Sequence, residues 1–279
     1  MQNQHPIFQM EYFDTYTFVA FIHELAENGF PAPDIYDGFN DFIVKHTDKI
    51  FHPFQKISVL HQFITFSVHE SFKGDVDDSV LDSVVNENDY VLWVNIALNV
   101  HKISHLDFIA WLENHSLSIE NLENETVILD YYEYLYKTGP LKYLLEKISN
   151  EAFFVLFLNR PFLYQFYKQI SNKTKEIKIV DLPENIKYLF KQDGILKRVN
   201  IPVWSRKAVF FRDRGLCSNC QKDISGLVNI QNAKHFDHII PLALGGLNDI
   251  SNLQLLCETC NLNKSGKEVQ ASKVYENWY

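Results

Sequence analysis

Cysteine is missing before position 217 and after position 260, and methionine occurs only twice, in a chain of 279 residues. All four cysteines fall in one short interval, which excludes a disulfide framework spread through the fold. Long apolar runs are missing as well. The longest, residues 152–158, is stopped at once by Asn159, Arg160 and Pro161, which excludes a membrane-spanning helix there and fits a buried helical segment. Residues 1–10 are polar and hold no apolar core of the kind a secretory leader needs, so a reducing cytoplasm is expected and no membrane partner. In that setting free thiols are suited to metal binding rather than to disulfides.

An excess of basic residues is also lacking: 26 Lys and Arg stand against 35 Asp and Glu, a formal net charge of −9. The deficit is unevenly placed. From position 201 onward 9 basic residues face 7 acidic ones, a net +2, while residues 1–200 hold 17 against 28, a net −11. Nucleic-acid affinity rests largely on cations that neutralise phosphates, so the acidic part is a poor DNA surface. It suits a protein partner or a homodimer contact better.

Residues 1–192 read as an all-helical, regulatory or partner-binding domain. Apolar residues recur at helical spacing over 16–28, with Gly29, Pro31 and Pro33 as a stop, and again over 57–72. Asp89 is placed to cap a helix running to Val100, and Ser104 to cap one carrying Phe108, Ile109 and Leu112. Gly139-Pro140 breaks the next, and three further segments follow at 141–148, 152–158 and 161–170. Nine histidines from His5 to His115 are scattered singly and fit surface or half-buried positions. The abundant Phe and Tyr fit a core, or a docking face for a partner.

Residues 193–204, with Gly194 and Pro202, read as a linker. A short helix is expected next, capped by Ser205 and stopped by Gly215, presenting Arg206, Lys207, Arg212 and Arg214 to a phosphate backbone.

The cysteines form two CxxC pairs, Cys217/Cys220 and Cys257/Cys260. Two-residue spacing lets a tight turn aim both thiolates at one ion, and two such turns complete a tetrahedral zinc site. The interval between the pairs is longer than a zinc ribbon needs, and it carries Asp237-His238, Pro241 and Gly245-Gly246. A strand is expected over 235–240, ended by Pro241, a return strand over 253–256, and a short helix over 258–267.

This order of pieces, CSNC, DHIIP, Gly-Gly, NLQLLC and CNLNK, resembles the HNH endonuclease domain of the four-cysteine subtype. The resemblance covers about the last quarter of the chain, placed at residues 205–279. With the helical periodicity of residues 1–192, the expected fold is a mainly α N-terminal domain followed by a small α+β module; the resemblance implies that this module is of the ββα-metal (HNH) kind, with little core of its own and held by structural zinc on Cys217, Cys220, Cys257 and Cys260. It further implies that Asn252 braces the loop and orients the base, and that Asn261 stands where many members carry His.

Hydrolysis of a phosphodiester needs an activated water and charge on the phosphate and the leaving oxygen. His238 is suited to be the general base, and Asp237 and Asn261 offer oxygen ligands that favour Mg²⁺ or Mn²⁺ over zinc. Lys264, one turn past Asn261, is placed for a phosphate contact, and His235 for an extra ligand. The expected function is a metal-dependent DNA endonuclease leaving 5′-phosphate and 3′-hydroxyl ends, held in check by the helical part, in antiviral defence or restriction. The competing readings are a non-catalytic zinc module that binds nucleic acid or protein, and an RNA nuclease.

Overall fold

The computed structural model describes residues 9–28, 38–74, 92–117, 126–227, 234–267 and 272–273. The expected stop at residues 29–33 and the expected cap at Asp89 lie outside them. Helices α1 (Thr15–Asn28), α2 (Gly38–Ile50), α3 (Val59–Gly74), α4 (Trp93–Val100), α5 (Phe108–Asn114), α6 (Thr126–Thr138), α7 (Pro140–Leu156), α8 (Arg160–Glu176) and the one-turn α9 (Glu184–Lys187) come first. They are followed by strands β1 (Phe190–Gln192) and β2 (Ile195–Leu196), helix α10 (Val203–Arg212), strands β3 (Phe236–His238) and β4 (Leu253–Leu255), and helix α11 (Glu258–Lys264). The chain is mostly helical, with two small two-stranded sheets in its C-terminal part. Among the described residues no helix is long and apolar enough to cross a membrane.

Several boundaries differ from the sequence expectation, each for a local reason. Segments 141–148 and 152–158 are one continuous helix, α7, and Asn159 caps α8 by accepting the Phe162 N–H at 3.1 Å. The cap of α5 is Asp107 rather than Ser104, through a 2.9 Å bond from the Ala110 N–H. Helix α10 starts straight after Pro202, whose carbonyl accepts the Arg206 N–H, so Ser205 lies inside the helix and buried. Residues 190–196 form the β1–β2 hairpin, turned at Asp193-Gly194 with Gly194 at φ +65°. Gly194 is required twice over, since a Cβ there would also come within 2.7 Å of the Lys175 backbone.

The chain separates into two compact units, Met1–Phe18 with Ile64–Ala152, and Val19–Phe63 with Phe153–Tyr279. In the first, Trp93 lies 4.7 Å from Phe72 and 5.5 Å from Phe18, centroid to centroid. The buried phenol of Tyr131 donates to the Leu106 carbonyl and accepts from Asn95, each at 2.7 Å. A buried ion pair, His101 Nε2 to Glu151 at 3.4 Å, completes this unit. The other carboxylate contacts of Glu151 hold the Glu11 N–H and the Thr15 hydroxyl, each at 2.9 Å.

In the second unit, Phe39, Phe63 and Phe166 pack together, with Phe39 stacked on Phe63 at 4.5 Å. The zinc-knuckle segment has a core after all: Val209, Cys217, Ile224, Phe236, Ile250, Leu253, Leu255 and Leu256 cluster with Phe54, and Phe157 packs on them. Two of those aromatic residues come from the helical segments that precede it in the chain. Grouping by contacts therefore places residues 19–63 and 153–192 with the C-terminal module, whereas chain order alone suggests a boundary at 193–204.

Candidate active site and metal centre

Strands β3 and β4 pair antiparallel, with Asp237 opposite Gln254 and His238 opposite Leu253. The free edge of β4 is covered by α10 and the turn after it. Asp213 accepts the Leu255 N–H at 2.9 Å, Arg212 donates to the Leu253 carbonyl at 2.7 Å, and the Ser218 N–H donates to the Leu255 carbonyl at 2.8 Å. Arg212 also forms two 2.8 Å bonds to Asp213 and lies over the Phe157 ring.

The loop between the strands closes on itself through Asn252, which is fully buried. Its Oδ1 accepts the Ile240 N–H at 2.9 Å, and its Nδ2 donates to the carbonyls of Ile240 and Leu247 at 3.0 and 2.9 Å. Gly245 is left-handed, φ +82°, and a Cβ on it would meet the Ser171 carbonyl at 2.7 Å, so the Gly-Gly turn is where this loop lies against α8.

Four sulfurs converge at one side of this sheet. Those of Cys217, Cys220, Cys257 and Cys260 all lie within 4.8 Å of one another, and Cys220 and Cys257 are 3.8 Å apart. A tetrahedron of Zn–S bonds of about 2.3 Å has edges of about 3.8 Å, so the cluster fits zinc. Burial alone would raise the Cys217 thiol, but the backbone N–H groups of Cys220, Cys257 and Asn219 bring it down to about 7. Cys257 is also the N-cap of α11, its sulfur facing the Cys260 N–H.

At the end of β3, His238 is 2% exposed; neither ring nitrogen meets a partner at full hydrogen-bonding geometry, and the Asn248 side chain is the polar group close to it. Burial first, then the cations of Arg198 and Lys264, hold its pKa down at about 4, with Asp237 and the nearby Asn248 amide acting the other way. The ring is therefore neutral at pH 7. Asp237 is half-buried and bonded to Lys264 at 2.6 Å. Asn261 donates its amide to the Lys234 carbonyl at 3.1 Å. The carboxylate of Asp237 and the amide oxygen of Asn261 are hard donors of the sort Mg²⁺ or Mn²⁺ takes, although one oxygen of Asp237 already faces an ammonium.

The structure divides the expected phosphate contacts. Lys207 and Arg214 are exposed. Arg206 is 9% exposed, Arg212 is enclosed in its pair with Asp213, and Lys264 is buried against Asp237, so these three do not face solvent as the sequence pattern implied. His235 donates from Nδ1 to the Leu256 carbonyl at 3.0 Å, in keeping with a structural histidine. Arg198 and Asn248, near His238, were not anticipated. Arg198 lies in the stretch taken for a linker, and only the β1–β2 turn signal at Asp193-Gly194 hinted at order there.

The paired strands β3 and β4, the helix α11 after them and the four cysteines together form a small ββα module whose cysteine cluster fits zinc. Residues 217–267 match the family model described as HNH endonuclease. That match leaves the residues before position 217 unassigned, and neither a curated protein nor a solved structure matches the chain.

Proposed function

We propose that this protein is a metal-dependent endonuclease that hydrolyses phosphodiester bonds in DNA. The observation that carries the reading is His238, a buried, neutral imidazole next to Asp237 at the end of β3, whose nitrogens meet no partner at full hydrogen-bonding geometry. A purely structural histidine at that burial would be expected to have its nitrogens satisfied.

Asp237 and Asn261 would hold the divalent cation, which when bound supplies Lewis-acid charge to the phosphate and the leaving oxygen. His238 accepts the proton of the attacking water. Asn252 keeps Ile240, and with it the end of β3, in a fixed relation to Leu247. The products are a 5′-phosphate and a 3′-hydroxyl. Lys207 and Arg214 are the exposed cations of the α10 region available to the backbone. One site breaks one strand, so a double-strand break needs a homodimer or two visits.

The acidic N-terminal part, residues 1–192, supports a controlling role through an activating protein partner or self-association, in a cytoplasmic antiviral or restriction setting. Competition between DNA and RNA in a cleavage assay separates a DNA nuclease from an RNA nuclease. Tight binding with no cleavage of either leaves a binding module.

A further inference from the structure

Lys264 is 4% exposed, and its ammonium donates to Asp237 Oδ2 at 2.6 Å and to the carbonyl oxygen of His238. A lysine buried to this degree needs compensation for its charge, and among the described residues Asp237 is the carboxylate bonded to it. The pair closes a gap between two elements, since Lys264 ends α11 and Asp237 lies in β3. Asn261, three residues earlier on the same helix, stands on the same face as Lys264. Its amide is turned to the Lys234 carbonyl, so the Asp237 carboxylate is the one full negative charge in this set.

We infer that Lys264 is a built-in counter-cation of the Asp237 site, whose ammonium opposes the divalent cation and sets how tightly it binds. The inference rests on Asp237 and Asn261 being the cation's ligands. A positive charge already on one carboxylate oxygen lowers the attraction the other oxygen can offer to a second cation, and the low polarity of a buried site strengthens that opposition.

The test is Mn²⁺ binding to the full-length, zinc-loaded protein, followed by electron paramagnetic resonance, for wild type, Lys264→Gln, Lys264→Met and Lys264→Arg. Lys264→Gln keeps donors for Asp237 and the His238 carbonyl while losing the charge, and Lys264→Met serves should that variant not fold. Either neutral variant is expected to bind Mn²⁺ on the order of tenfold more tightly. Lys264→Arg is expected to stay at the wild-type level, and Asp237→Asn to abolish the site. Equal or weaker binding by the neutral variants overturns the inference, as does an absence of Mn²⁺ binding that depends on Asp237. Because the readout is affinity, a protein that binds Mn²⁺ as described but cuts nothing upholds the inference about Lys264 and refutes the nuclease. A protein that cuts with unchanged affinity does the reverse.

Discussion

Tyr167 in α8 donates a 2.5 Å hydrogen bond to Asp249, in the loop that joins β3 to β4. The same carboxylate accepts the Val59 N–H at 2.9 Å and the Ser251 N–H at 2.8 Å. Burial raises the pKa of Asp249, and these donors act against that rise. Tyr167→Phe leaves a buried acceptor short of a partner, and is expected to lower stability by about 1–3 kcal/mol in a denaturant titration. Tyr188→Phe, at an exposed position, is expected to change it by less than about 0.5 kcal/mol.

The same junction bears on what can be cut away. A fragment of residues 196–279 keeps all four cysteines but loses Phe54, Phe157 and Tyr167. Loss of one buried Phe side chain costs about 3–5 kcal/mol on its own. The fragment with zinc is therefore expected to melt without a cooperative transition in calorimetry. A sharp transition near that of the full chain would show that the knuckle segment folds alone.

Charges on and around α10 separate into two groups with opposite signatures. Arg212→Ala breaks a buried pair and exposes the edge of β4, and is expected to lower stability by about 3–5 kcal/mol. Lys207→Ala is expected to leave the melting temperature nearly unchanged while reducing the salt dependence of DNA binding by about one unit of slope. Fluorescence anisotropy across a salt series measures the second effect.

His101 and Glu151 provide a pH signature. Nδ1 of His101 faces the Ala97 carbonyl at 2.8 Å and so carries a proton, which leaves Nε2 to meet the Glu151 carboxylate. Burial alone would lower His101, but Glu151 raises it above 6.5; burial would raise Glu151, but His101, the Glu11 N–H and Thr15 bring it below 4.5. The histidine's contribution is full below pH 6.5 and is lost as pH rises through its raised pKa. The glutamate's is full above pH 4.5 and is lost as pH falls through its lowered one. His101→Gln is expected to lower the melting temperature most between pH 4.5 and 6.5, and progressively less at alkaline pH.

The sequence revealed the parts whose chemistry is local. Two CxxC pairs and Asp237-His238 before Pro241 speak through spacing, Asn252 through the family resemblance, and the sulfurs converge as the cysteine spacing requires. Helix α1 and the break at Gly139-Pro140 came from periodicity and backbone limits. What stayed hidden depends on pairs distant in the chain. Arg212 resembles any cation on a basic helix until Asp213 and the Leu253 carbonyl enclose it, and Lys264 resembles a solvated helix end until α11 meets β3. The core shared by Phe54 and Leu253 has no one-dimensional signal at all.

The central claim is that His238 is the base of a phosphodiester hydrolysis. Cleavage of supercoiled plasmid in Mg²⁺ and in Mn²⁺, by wild type and by His238→Ala of equal zinc content, tests it most directly. The expected result is nicking by the wild type and a rate lower by about 10²–10⁴-fold in the variant. Equal cleavage by both proteins would contradict the claim.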